Sequence, residues 1–167
     1  MRLSHAIGAA LFAVAAAMAP QSSAAESMAD AATVAAGDTL PFSSLPDQHG
    51  KAVAIDAAVA RILFTRDMDG GGLVKDVLSE GGAERLAAAR AVYVSDVSGM
   101  PGFVLRTFAL PSIRKRPYPV LVDESGETTR AVPSQEGKAT VLQIDAGRIT
   151  AITFAGSTAE VSAALAP

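Results

Sequence analysis

Residues 139–154 read ATVLQIDAGRITAITF, and this stretch decides the fold. Two runs rich in β-branched residues, Thr140 to Ile144 and Arg148 to Phe154, bracket Asp145-Ala146-Gly147. Such a pair, with glycine where the turn needs positive φ, predicts a β-hairpin. Just beyond it, Ser157 and Glu160 form a capping box for a last helix that buries Val161, Ala164 and Leu165. Working back from the hairpin, Val120-Leu121-Val122 is a strand ending in the turn Asp123-Glu124-Ser125-Gly126. Phe103, Val104, Thr107 and Phe108 recur at helical spacing and predict a helix from about Gly99 to Leu110. Ala91 to Val94 and Arg61 to Thr65 are short apolar runs of the buried-strand type. Between them, Leu73, Val74, Val77 and Leu78 mark one helix face, and Ala83 to Ala89 adds a second short helix. At the front, Leu40-Pro41-Phe42 and Lys51 to Ile55 flank the polar turn Asp47-Gln48-His49-Gly50, which predicts a small opening hairpin.

Strands alternating with helices imply a parallel core, to which the late hairpin adds antiparallel strands. The expectation is an α/β three-layer sandwich, a central mixed sheet of four to five strands flanked by helices. Right-handed crossovers are expected to place helices on both faces.

The chain opens with an export signal. Arg2 and His5 precede an apolar run from Ala6 to Ala19, and small residues at Ser23, Ala24 and Ala25 set a cleavage site after Ala25. The apolar run of 14 residues is shorter than the roughly 20 a bilayer requires. No cysteine follows to carry a lipid, and no twin-arginine pattern is present. Residues 1–25 therefore read as a Sec-type signal peptide, 26–37 as a flexible leader, and 38–167 as one domain, exported to the periplasm or secreted. Removing residues 1–25 leaves 13 basic against 17 acidic residues, a net charge of −4. That balance argues against nucleic-acid binding, which needs clustered cations. No membrane span is expected after cleavage.

The 167 residues contain no cysteine. Disulfides, thiolate nucleophiles, Cys-bound zinc and iron–sulfur clusters are excluded together. His49 is the one histidine left after processing, and it sits in a turn with no GxSxG elbow nearby. One histidine and no cysteine make transition-metal or haem ligation hard to assemble. Neither GxxxxGK[ST] nor a strand-linked GxGxxG is present.

Two segments stand out. In the first, Asp67, Asp69, Gly70, Gly71 and Gly72 precede a helix and could expose free N–H groups as an anion cradle. The plainer alternative is that the acids cap the helix and the glycines make a tight turn. Asp67-x-Asp69 is only a fragment of a calcium loop. In the second, Arg114, Lys115, Arg116 and Tyr118 lie among prolines in SIRKRPYP (112–119), which suits contact with a partner. A solvated loop is the plainer alternative there. Met68 and Met100 read as core or rim fillers, and Asp96 as a helix cap.

Three stretches carry a resemblance. LPDQHGKAVAID (45–56) is similar to the opening hairpin of exported thioredoxin-like and peroxiredoxin-like proteins. PYPVLVDESGETTRAV (117–132) followed by ATVLQIDAGRITAITF is similar to their paired strand–DxxG segments. SGMPGFVLRTFALPSIRKRPYPVLVD (98–123) resembles a bacterial periplasmic thioredoxin-like family of unknown function. The likeness runs from about Leu40 to Leu165 and implies a thioredoxin-like sandwich. The sequence departs from that pattern at two places. Where thioredoxins carry CxxC and peroxiredoxins a reactive cysteine, this chain has Phe64 to Leu73, FTRDMDGGGL. Where thioredoxins carry a cis-proline, it has Lys138-Ala139-Thr140, and Tyr118-Pro119 reads as trans. The resemblance therefore implies a redox-inactive binding or interaction module in the periplasm, without thiol–disulfide or thiol-peroxidase activity. Its partner is an unidentified periplasmic protein or a small anionic ligand, and no cofactor is assigned. The alternative is a non-thiol oxidoreductase with bound flavin or nicotinamide.

Overall fold

The computed structural model describes residues 33–166. The expected signal at 1–25 and residues 26–32 of the expected leader lie outside the described residues. Residues 34–37, expected as the end of a flexible leader, hydrogen bond instead to the folded domain. Val34 N–H donates to Ala131 O and Gly37 N–H to Ile149 O.

The opening hairpin pairs β1 (Ser44–Pro46) with β2 (Ala52–Ala54). Its first strand lies further along than the expected Leu40-Pro41-Phe42. The turn explains the shift. Asp47 Oδ1 accepts from the N–H groups of His49 and Lys51, and Gly50 adopts φ +84°. This closed Asx turn fixes the Pro46–Ala52 pair, so the strand must be the residues directly before it. The N–H of Leu40 instead bonds Gly147 O at the far sheet edge.

The central sheet contains β3 (Arg61–Thr65), β4 (Ala91–Asp96), β5 (Leu121–Asp123), β6 (Ala139–Asp145) and β7 (Arg148–Ala155), in the order β5-β4-β3-β6-β7. β3, β4 and β5 are parallel, whereas β6 and β7 run antiparallel to their neighbours. This is the expected mixed sheet. The β6–β7 turn has positive φ at both central residues, +47° at Ala146 and +79° at Gly147. Its twist matches that of the flanking strands.

Helix α1 (Met68–Leu78) and the short α2 (Gly82–Ala88) link β3 to β4. The next crossover consists of α3 (Gly102–Val104), a π-helical turn (Leu105–Ala109) and α4 (Leu110–Arg114). It therefore starts and ends later than the expected 99–110 helix. Pro111 accounts for the π turn: it has no N–H to give, and its ring crowds the preceding turn of backbone. The Leu110 N–H reaches back five residues to Leu105 O. Helix α5 (Thr158–Ala164) closes the chain with the expected cap. Ser157 accepts from Glu160 N–H, and the Glu160 carboxylate accepts from Gly156 N–H.

The helices flank the sheet on one face only, a correction to the expectation of both. Leu63, Tyr93, Val122 and Val141 point from the strands into a core shared with Val74, Leu78, Leu105, Ile113 and Val161 of the helices. The alternate strand residues Ile62, Phe64, Val94, Leu121 and Leu142 pack with Phe42, Leu45 and Val132, which come from the N-terminal segment and the 124–138 loop. The reason is topological. The steps β3→β4→β5 run in one direction across the sheet, so two right-handed crossovers land on the same face. The step that reverses direction, β5→β6, is non-helical. The third layer is therefore hairpin and loop.

Candidate functional site

The parallel strands β3, β4 and β5 end together, and two polar constructions sit at their carboxyl ends. The first is a buried network. Arg66, just past β3, donates Nε–H to Asp96 Oδ2 at 2.8 Å and Nη2–H to Thr129 O at 2.8 Å, with its guanidinium 5.1 Å over the Phe64 ring. Asp96 thus serves as an ion-pair partner and accepts from Ser98 N–H; it does not cap α3. Asp123 accepts from Ser125, Gly126 and Thr129. Burial works to raise its pKa. The N–H of Thr129, the hydroxyls of Ser125 and Thr129 and the N–H of Gly126 outweigh that effect and hold the carboxyl below its ordinary range. The network ties the 124–134 loop across the strand ends.

The second is the start of α1. The helix begins at Met68, so the three glycines lie inside its first turns and not ahead of it. Asp67 is the N-cap. Its Oδ1 accepts from Gly70 N–H at 2.7 Å and its Oδ2 from Gly137 N–H at 3.2 Å. The expected anion cradle is therefore filled by the protein's own carboxylate, and the capping alternative holds. Gly70 serves close packing. A Cβ there would fall 2.5 Å from Lys138 O. Asp69 is exposed on the first turn and favours the helix dipole.

Between α1 and the α3–α4 crossover lies a cavity of about 260 Å³. Asp67, Met68, Gly71, Gly72 and Lys75 line it from α1, and Tyr93 and Ser95 from β4. Met100, Ala109, Ser112, Ile113 and Arg116 close the far side. The Tyr93 hydroxyl is 3.0 Å from Thr65 Oγ1. The two segments that stood apart in the sequence, 67–72 and 114–118, meet here through Asp67, Gly71, Gly72 and Arg116. The other members lie elsewhere. Arg114 donates to Gln48 O and borders the His49 turn, and Lys115 is exposed at the end of α4. Tyr118, expected as a contact residue, is 3 % exposed and cannot present a surface. Burial pushes its phenol pKa up, and the adjacent Arg116 guanidinium offsets this only in part. All described peptide bonds are trans, Tyr118-Pro119 included.

Arg116 gives the cavity its polarity. The guanidinium is half-buried, its carbon 6.0 Å from the centres of both the Tyr93 and Tyr118 rings. Among the described residues it makes no ion pair, and its Nη1 is buried without a partner, as is the hydroxyl of the adjacent Tyr118. Charges in such settings are ordinarily paired. Sequence reasoning missed Tyr93, Ser95, Lys75 and Ser112. The available signal was Tyr93-x-Ser95, two polar groups on one face of a strand whose other residues before Asp96 are apolar. His49 lies exposed in its turn. Among the described residues, no group of three or more His, Asp or Glu is placed to hold a metal ion, and no helix is long and apolar enough to cross a membrane.

No protein-family model and no curated protein matches the chain. Its fold is similar to that of several solved structures. Peroxidoxin BcpB from Mycobacterium tuberculosis is 21 % identical, with a TM-score of 0.51 over 78 % of this chain and 93 % of that one. The bacterioferritin comigratory protein of Xanthomonas campestris is 15 % identical, with a TM-score of 0.51 over 80 % and 96 %. A secreted disulfide oxidoreductase of M. tuberculosis, homologous to the DsbE of Escherichia coli, is 14 % identical, with a TM-score of 0.50 over 75 % and 95 %. The chain has a thioredoxin-like fold, of the kind seen in peroxiredoxin and DsbE-type proteins, with no cysteine in it.

Proposed function

We propose that this is an exported binding module whose cavity beside α1 takes a small anionic group on Arg116. Thiol–disulfide exchange and thiol peroxidase chemistry both need a cysteine, and the chain has none. The observation that carries the reading is the unpaired, half-buried Arg116 guanidinium on the wall of a cavity at the carboxyl ends of β3 and β4. That edge is where open α/β sheets place ligands. The signal peptide expected from the sequence of residues 1–25 supports export. The cavity's 260 Å³ is below the roughly 300–1,000 Å³ of sites that enclose drug-sized ligands. It suits a single carboxylate with a short apolar stem better than a flavin or dinucleotide.

The test is an amide NMR titration of the mature protein with acetate, benzoate and phosphate. Shifts are expected at Met68, Gly71, Gly72, Tyr93 and Arg116. Arg116→Gln is expected to weaken binding about tenfold or more, the value of a charge-assisted hydrogen bond. Absence of shifts at those positions with any of the three anions, or a visible flavin band in the purified protein, overturns the reading.

A further inference from the structure

The rim of the cavity carries surface that a small anion leaves uncovered. Three large apolar side chains stand out as exposed among the described residues: Met68 at 74 %, Phe103 at 72 % and Phe108 at 61 %. Met68 lines the opening. Phe103 and Phe108 belong to the crossover whose Ala109, Ser112 and Ile113 close its far side, and they pack edge-on against each other with ring centres 6.0 Å apart. Residues five apart on an α-helix point about 140° away from each other. Here the π turn brings Phe103 and Phe108 onto one face.

Charge along the crossover from β4 to β5 is equally one-sided. Between Asp96 and Asp123 the chain has no acidic residue and four basic ones, Arg106, Arg114, Lys115 and Arg116. Arg106, Arg114 and Lys115 are exposed. The remainder of the chain is correspondingly acidic. An exposed aromatic pair on a basic crossover, beside a pocket with Arg116 on its wall, is the layout of a protein-recognition surface.

We propose that the α3–α4 face docks an extended acidic segment of another protein, with one carboxylate entering the cavity to Arg116 and apolar side chains covering Phe103 and Phe108. This rests on the cavity reading above.

The test uses fluorescein-labelled short peptides that combine glutamate with leucine or phenylalanine at varied spacing. Controls replace the apolar residues by serine, and vesicles containing anionic lipid serve as a separate arm. Apolar-acidic peptides are expected to bind at least about tenfold more tightly than the serine controls. The surface double variant Phe103→Ser/Phe108→Ser is expected to erase that difference while leaving acetate shifts at Arg116 unchanged. Arg116→Gln is expected to weaken both. Equal binding of both peptide classes, no peptide binding up to about 1 mM, or an unaffected double variant overturns the docking proposal and leaves the anion site standing. Phenylalanine-dependent vesicle binding without peptide binding overturns it in favour of a membrane. Loss of acetate shifts in the unmodified protein instead removes the reading beneath it.

Discussion

Gly70 and Gly72 lie two residues apart on one helix, yet alanine should move stability in opposite directions at the two positions. Inside a helix, glycine is less favourable than alanine by about 0.8–1 kcal/mol, because it loses more backbone freedom on folding. At Gly72 nothing lies within 4 Å of the point a Cβ would occupy, so Gly72→Ala should gain most of that amount. At Gly70 the same carbon would meet backbone, 2.5 Å from Lys138 O and 2.8 Å from its carbonyl carbon. Neither atom can rotate away, so α1 or the 137–138 loop must shift. Shifting them also stretches the hydrogen bond from Gly137 N–H to the Asp67 carboxylate. Overpacking of this kind costs about 1–3 kcal/mol, which cancels the gain and leaves a net loss of up to about 2 kcal/mol. Urea unfolding followed by far-ultraviolet circular dichroism reads the contrast directly. With a slope of about 2 kcal/mol/M, the two midpoints should separate by about 0.5–1.5 M. A Gly70→Ala protein as stable as Gly72→Ala refutes the seating of α1 on the Lys138 carbonyl, and with it the geometry of the cavity wall.

Three further outcomes are expected. Asp123 has a folded pKa below its unfolded value, so its contribution is present above about pH 4 and is lost as pH falls through the lower folded value. Asp123→Asn should remove this acid sensitivity and cost about 2–4 kcal/mol, because an amide N–H₂ would face donors it cannot accept from; urea midpoints across pH 2–7 read both effects. Tyr118, one of two tyrosines, is raised by burial. It should ionise later than a free phenol when absorbance is followed in alkali, with its stabilising effect intact below about pH 10 and lost above it. At the β6–β7 turn, Ala146 sits at φ +47°, so Ala146→Asn should raise the thermal midpoint, by about 0.5–1 kcal/mol in stability.

The strands and the final helix were legible because their signals are local. Asp145-Ala146-Gly147 announces its turn, and Ser157 with Glu160 announces its cap. Where the sequence misled, a nonlocal or cooperative effect decided the outcome. The helix expected over 99–110 continues through Pro111 to Arg114, because a π turn absorbs a residue that ordinarily stops a helix. The placement of helices depends on the direction in which β3, β4 and β5 succeed one another, and no single segment records that order. The candidate site was half visible for the same reason. Asp67 and Arg116 drew attention as separate segments, but only the crossover that packs α4 beside α1 makes them two walls of one cavity. Tyr118 misled because its neighbours are charged and its own ring is wholly covered.

The Asp67 carboxylate does more than cap α1. A helix N-terminus at the end of β3 carries partial positive charge and attracts anions. In this chain the Asp67 carboxylate occupies that place permanently, bonded to Gly70 N–H and Gly137 N–H. An incoming anion is therefore repelled by Asp67 at the start of the α1 wall and attracted by Lys75 further along that wall and by Arg116 on the opposite one. These three charges orient whatever binds, with its anionic group away from Asp67 and toward Arg116. Asp67→Asn keeps one acceptor for the cap while removing the repulsion. It should tighten acetate binding severalfold at low salt and less at high salt, where screening shortens the reach of the lost charge. Unchanged affinity at low salt would mean that the two walls do not act on a common ligand.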